Sequence, residues 1–312
     1  DPVKQAGVSI SGGSGIYDLN NLGTMTLLGN SINSLLFETN FSKFYKKEFV
    51  NIGATRELTN GLQTMLNVDY SRNTYLHNTT AFKIRDLKNK EFTSNNPFAP
   101  DSDVPLFPQY QALTISASLS YTIGQKYITR PDGKFYQPSK YPTITLDYRK
   151  GINNVLNSDV DYDLMSLELQ QRRISAGLWG YTSFVISAGK FLNDNKVYYP
   201  DFKHFRGNNA LFIKPDLRRF LFLDFYEFST RQQYAEAHLE HNFSGLFSNK
   251  LPVIRKLKLE EVIGVSYLTQ PLKPNYTEFY FGFQRLIFRA VYGFGYDGNK
   301  RIQHGFKLSY GF

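Results

Sequence analysis

Glu236, His238 and Glu240 alternate along one short segment, with Tyr234 and Asn242 on the same parity. Two carboxylates and an imidazole are ligands for a hard or borderline metal ion. In an extended strand, however, i to i+4 spans more than ~13 Å at about 3.3 Å per residue, so one ion would need further ligands from adjacent strands. The preferred reading is a polar wall crossed by ion pairs, and neither metal nor cofactor is expected. Five histidines, His77, His204, His238, His241 and His304, offer general bases, and serine is plentiful. No spacing puts a Ser, a His and an acid at a shared height, so a lipid or peptide hydrolase is the weakest functional reading and the chain is read as non-enzymatic. The absence of cysteine excludes disulfides, thiolate metal sites and cysteine nucleophiles. No glycine-rich phosphate loop follows a strand and opens a helix, which argues against nucleotide chemistry.

The elements that must carry these residues follow from composition and period. The 312 residues hold 36 Lys and Arg against 27 Asp and Glu, a net charge of +9. The basic residues are spread over loops and faces, a pattern that suits phosphate-rich lipid headgroups or periplasmic partners better than nucleic acid. Mean hydropathy is −0.38, and no apolar run reaches the ~18 to 20 residues of a spanning helix. Yet the chain carries 22 Tyr and 27 Phe. Aromatic wealth under a hydrophilic average is what a transmembrane β-barrel requires: a polar interior, and rings on the outside.

Strict alternation decides between classes. Leu113, Ile115, Ala117, Leu119, Tyr121 and Ile123 oppose Thr114, Ser116, Ser118, Ser120 and Thr122. Phe279, Phe281 and Phe283 oppose Glu278, Tyr280, Gly282 and Gln284, and Phe288 to Tyr296 repeat the pattern against Arg289, Gly293 and Gly295. A soluble sandwich also alternates, but here small and charged residues recur on the same face of nearly every strand. Eleven strands are readable, at 48–58, 61–75, 111–123, 142–150, 161–173, 178–191, 233–245, 256–268, 276–284, 286–297 and 302–312. Barrels of this class have even strand numbers, so a twelfth is expected at 5–12 or 22–28. Residues 31–45 suit a short helix equally well. The expected fold is one antiparallel transmembrane barrel domain over 1–312, with an irregular or first-strand region at 1–45. Its turns alternate short and long, and the longest loop spans 192–231 with an apolar block from Phe220 to Phe228. The 17-residue connection Gly124–Lys140 is long for its side, but Arg130-Pro131-Asp132-Gly133 reads as a turn within it.

The runs Tyr234-Ala-Glu-Ala-His-Leu-Glu-His-Asn-Phe-Ser-Gly245 and Asn249-Lys-Leu-Pro-Val-Ile-Arg-Lys-Leu-Lys-Leu-Glu-Glu-Val-Ile-Gly264 resemble a family of Gram-negative outer-membrane proteins. That family carries an N-terminal carboxypeptidase-regulatory-like domain and a C-terminal barrel of unassigned function. The likeness covers most of 30–312. Family members are longer, so the resemblance implies a C-terminal portion, with 14 to 16 barrel strands if upstream ones contribute. More distantly, five strands after a long loop bearing Phe205-Arg206-Gly207 are similar to barrels that insert or secrete outer-membrane proteins. That likeness implies a loop tip folded into the lumen, with Arg206 beside Gly207 meeting the inward carboxylates Glu260 and Glu278. The ending Tyr310 to Phe312 resembles the terminal signal by which such barrels are assembled.

The resemblance implies a bacterial outer-membrane location. The expected role is a non-enzymatic scaffold or accessory subunit of an assembly, secretion or uptake complex. The expected partners are outer-membrane lipids including lipopolysaccharide, and other outer-membrane proteins or lipoproteins. A passive pore is the alternative; bulky inward Tyr234, Tyr280, Arg289 and Glu260 with an inserted loop would leave it plugged.

Overall fold

A computed structural model describes residues 5–79, 82–84, 91–131, 133–213 and 216–311. The chain is all-β. Its strands are β1 Gly7–Asp18, β2 Phe44–Thr59, β3 Leu62–Tyr75, β4 Tyr110–Thr122, β5 Tyr127–Arg130, β6 Gly133–Tyr136, β7 Thr143–Ile152, β8 Asp161–Ser175, β9 Tyr181–Lys196, β10 Phe212–Ile213, β11 Gln233–Asn242, β12 Glu260–Thr269, β13 Tyr276–Arg285, β14 Phe288–Asp297 and β15 Lys300–Tyr310. Twelve of them form one antiparallel meander in the order β1-β2-β3-β4-β7-β8-β9-β11-β12-β13-β14-β15. No helix among the described residues is long and apolar enough to cross a membrane.

The twelfth strand is β1, at the first of the two candidate positions. Residues 22–28 are not a strand, because Thr26 caps a helix α1, Leu27–Phe37, by accepting from the Gly29 N–H. The long connection after β4 contains the short hairpin β5–β6, with Asp132 outside the described residues. It is tied back to the sheet by Lys134 Nζ to Glu57 at 2.5 Å and by Gln5 Nε2 donating to the Lys134 carbonyl at 3.1 Å.

The expected closed barrel is not what the hydrogen bonds describe. Strands β1 and β15 are not paired with each other. Instead β10, from the long loop, lies parallel on the free edge of β15, with Phe212 opposite Leu308 and Ile213 opposite Ser309. A loop strand holds part of the edge that ring closure would use.

The sheet nevertheless wraps around the loop between β9 and β11. Phe225 and Tyr226 from that loop pack with Tyr45 of β2, Tyr75 of β3, Tyr110 of β4 and Tyr162 of β8. Phe220 and Phe228 pack with Tyr234 of β11 and Tyr276 of β13, and Val291 of β14 meets Leu221 and Phe222. Strands from β2 to β14 press on one loop, which a flat sheet cannot do.

Curling is helped by a repeated cross-strand fit on the inner face. Gly151 stands opposite Tyr162, Gly189 opposite Tyr234, and Gly264 opposite Tyr280. Each tyrosine ring lies in the space a Cβ would fill at its glycine. The arrangement covers glycines with aromatic rings and lets strands bend. The ring of Tyr280 crosses Gly264 to reach Glu240 of β11, donating to its carboxylate at 2.7 Å. Gly264→Ala is therefore expected to displace Tyr280 and cost about 1 to 3 kcal/mol as an overpacked site. Gly13→Ala, with open space at its Cβ, serves as the neutral control in thermal unfolding.

Candidate functional site

The interior of the sheet is the candidate site, and the loop at 197–232 fills much of it. Its entry is fixed by Asp201, whose carboxylate accepts from Tyr110 Oη at 3.0 Å and Tyr162 Oη at 3.2 Å. The Arg149 guanidinium donates to the Asp201 carbonyl. Burial raises the Asp201 pKa, against the pull of Arg149. A few residues on, His204 Nε2 donates to the Tyr199 carbonyl at 3.0 Å and Nδ1 meets Ser229 Oγ at 2.8 Å. A carbonyl can only accept, so the neutral ring carries its proton on Nε2. Burial pushes the His204 pKa down to about 3.

The middle of the loop docks on β11 to β14. Phe220 packs on His238 and on Tyr276, at ring separations of 4.6 and 5.8 Å. Glu278, fully buried, accepts from the backbone N–H groups of Leu221 at 2.6 Å and Phe222 at 2.8 Å, and from Tyr276 Oη at 2.6 Å. Phe222 sits over Gly293 and Gly295, where a Cβ at either position would crowd it. Elsewhere Arg218 makes a bidentate pair with Glu168 of β8, a geometry that adds specificity as well as energy.

The expected pairing of Arg206 with Glu260 and Glu278 is not formed. Arg206 pairs with Asp216 of its own loop, while Glu260 accepts from Asn242 and Gln284 at 2.8 and 2.9 Å. The register explains this: Glu278 stands opposite Ser266 and Glu260 opposite Gln284. The two carboxylates are therefore six residues apart along the sheet, roughly 20 Å at 3.3 Å per residue. No single guanidinium can serve both. Gly207 does occupy a tight site, with the Leu223 and Asp224 carbonyls where its Cβ would stand. Arg219, which donates to the Thr24 and Gly207 carbonyls, is lowered to about 10 by burial and by Arg206 beside it.

Glu236, His238 and Glu240 all face inward, each with separate partners. Glu236 pairs with Lys203 at 3.1 Å and Glu240 with Arg289, the crossed ion pairs read from parity. His238 Nδ1 meets Ser266 Oγ at 2.9 Å, and its Nε2 lies 3.9 Å from Glu236. Ser266, His238 and Glu236 thus stand in the order of a nucleophile, base and acid. Yet Ser266 is 2% exposed, Phe220 covers the imidazole, and Lys203 holds the glutamate. No substrate reaches this serine while the loop is docked. Tyr310 is exposed and its ring meets Phe288 at 5.6 Å; Phe312 lies outside the described residues.

Sequence reasoning misses Asp201, Tyr110, Tyr162 and Arg149. Glu168 and Arg149 carry a signal, since both have inward parity on alternating strands; Asp201 carries none, being set by the loop path alone. A family model described as the C-terminal domain of a family of unknown function (DUF5686) matches residues 1–283. No curated protein matches the chain.

Two outcomes follow from this geometry. Glu278→Leu removes the acceptor of the Leu221 and Phe222 N–H groups, and at about 1.5 to 3 kcal/mol per charge-assisted bond it should release the loop to protease well before the sheet unfolds. His204 is neutral when folded and titrates near its ordinary 6.5 when unfolded, so its contribution is present above pH 6.5 and fades as pH falls toward 3. The loss is about 1.4 kcal/mol per pH unit across that window. The raised pKa of Asp201 acts in the opposite sense. The difference between wild type and His204→Gln in hydrogen exchange of residues 197–232, followed from pH 7 to 5, isolates the histidine. A flat difference would show that the imidazole does not gate the loop.

Proposed function

As the chain belongs to the DUF5686 C-terminal domain family, we propose that it is an integral outer-membrane β-barrel. It acts as a non-enzymatic scaffold or accessory subunit of an assembly, secretion or uptake complex. The observation that carries this is the two-sidedness of the sheet. On the outer face Leu119, Phe281 and Phe306 are 43, 54 and 65% exposed, with Ile115, Phe279 and Phe288 exposed around them. Leu113, expected on the same belt, is buried; the Ser158 hydroxyl accepts from its N–H as the connection after β7 folds over it. Large apolar surface of this extent needs an apolar surrounding. Inside, the same strands carry Ser, Asn, Glu and Arg held by the loop. Alternation of apolar outside and polar inside is barrel anatomy, and the three longest connections, 19–43, 76–109 and 197–232, all lie at one end of the sheet.

The docked loop supports a scaffold over a constitutive pore, because it runs from the long-loop end down to β15 near the short-turn end. A second reading, a passive channel, is favoured by one feature. A cavity of about 400 Å³ remains beside the loop, lined by Asn67, Ser116, Ser118, Asp147 and Arg149. The likeness to insertase and secretion barrels rests on the loop followed by five strands, and it directs the search for partners to other outer-membrane proteins and lipoproteins. Lipopolysaccharide and phospholipid are the surrounding lipids.

Facing is tested directly. Leu119→Arg should lower folding into vesicles by about 2 to 4 kcal/mol, while Ser118→Arg, one residue along and inward, should not. Equal folding of the two would remove the membrane assignment. In planar bilayers the wild type should give no steady ohmic steps and a chain lacking 203–231 should give them. Steady steps from the wild type would move the assignment to the pore.

A further inference from the structure

A cavity of about 720 Å³ lies not inside the sheet but on its outer face, over β8, β9, β11 and β12. Its floor is made by Ala188 and Ala235, cross-strand neighbours. Leu167 and Leu192 wall one side; Pro271 and Pro274 wall the other. Methyl side chains between larger ones make a furrow, three strand spacings or roughly 14 Å across. The furrow continues the exposed apolar face formed by Ile186, Leu239 and Ile263.

Two groups at its long-loop end are unusual. Lys190 is exposed and lines the cavity. Cations farther toward the long-loop end are paired, Lys150 with Asp163, Lys196 with Asp159 and Arg231 with Asp194; Lys190 has no carboxylate partner among the described residues. Gln270 lines the same cavity, is 5% exposed, and its Oε1 has no hydrogen-bond partner among the described residues. A buried amide oxygen left unmatched costs free energy that a ligand donor would recover. An apolar channel headed by a free cation and an unmatched acceptor selects an amphipathic molecule. Its tail is an acyl chain, and its head carries both an anionic oxygen and a hydroxyl or amide donor.

We propose that this furrow binds one phosphorylated glycolipid of the outer leaflet. Its acyl chain lies on Ala188 and Ala235, its phosphate at Lys190, and a head-group donor on Gln270 Oε1. The site rests on the membrane assignment above and adds a defined location and a lipid class to it. A phospholipid whose head carries no donor, such as phosphatidylmethanol, would satisfy only the furrow and the lysine; the glycolipid also offers a hydroxyl or amide donor to Gln270 Oε1.

The full chain, folded in detergent micelles, would be titrated with lipid A, with dephosphorylated lipid A and with phosphatidylmethanol, an anionic phospholipid without a head-group donor, and bound lipid counted by native mass spectrometry. One lipid A per chain is expected, retained over phosphatidylmethanol. Ala188→Phe and, independently, Ala235→Phe should fill the furrow and abolish retention; both side chains point away from the packed interior, so folding is preserved. Lys190→Glu should weaken lipid A by about tenfold, the equivalent of one charge-assisted contact, and leave the dephosphorylated lipid unchanged. Retention undiminished in both Ala188→Phe and Ala235→Phe, or phosphatidylmethanol held as well as lipid A, would overturn the site. A wild-type chain that inserts into vesicles yet shows no selective retention refutes only this inference. A chain that fails to insert refutes the membrane assignment as well.

Discussion

A single buried carboxylate ties the halves of this molecule together. Glu278 has no cation within salt-bridge distance among the described residues, and its acceptor capacity is met by two backbone N–H groups of the loop and one tyrosine hydroxyl. Taking a carboxylate out of water costs several kcal/mol unless it is fully hydrogen-bonded. The strand therefore needs the loop. The loop equally needs the strands, because Phe220, Leu221, Phe222 and Leu223 in succession have no place in water. Docking resolves both demands at once, and the small residues Gly293 and Gly295 make the approach possible.

The aromatic residues divide along the same line. Tyrosines dominate the inner face: Tyr110 and Tyr162 on Asp201, Tyr276 on Glu278, Tyr280 on Glu240. Phenylalanines such as Phe279, Phe281, Phe283, Phe288 and Phe306 dominate the outer. A buried ring with a hydroxyl must find a partner, whereas one without is free to face an apolar surrounding. The partition lets one sheet be packed against charged groups on one side and present phenylalanine and aliphatic side chains over much of the other.

Period-2 patterning made the meander legible, because every strand from β2 on carries a clear inner and outer set. The first strand was hardest to see: Gly12, Gly13 and Gly15 interrupt its apolar series after Val8 and Ile10. Parity also placed Glu236, His238, Glu240, Glu260 and Glu278 on the inner face, as found. It could not give their partners. Height along a strand depends on register, and register separated Glu260 from Glu278 and left Arg206 to Asp216. The loop's burial was foreshadowed by its block from Phe220 to Phe228. Its fastening at Asp201 was not, since a carboxylate in an irregular segment has no periodicity to betray it.

Strand β10 raises the question of what seals the sheet. Among the described residues it pairs with Leu308 and Ser309 of β15, while β1 runs for 12 residues with one side unpaired. Val8 and Ile10 on that strand are among the most exposed large apolar side chains of the described residues. In water such edges are solvated at little cost. In hydrocarbon every unmatched N–H and C=O costs several kcal/mol, so open edges do not persist there. A membrane-spanning state therefore requires that both edges be paired, either with one another once β10 leaves β15, or with strands from outside residues 5–311. In the first case the loop is not merely a plug: its short strand competes for the pairing that closes the wall, and docking at Glu278 and sealing of the sheet become coupled events.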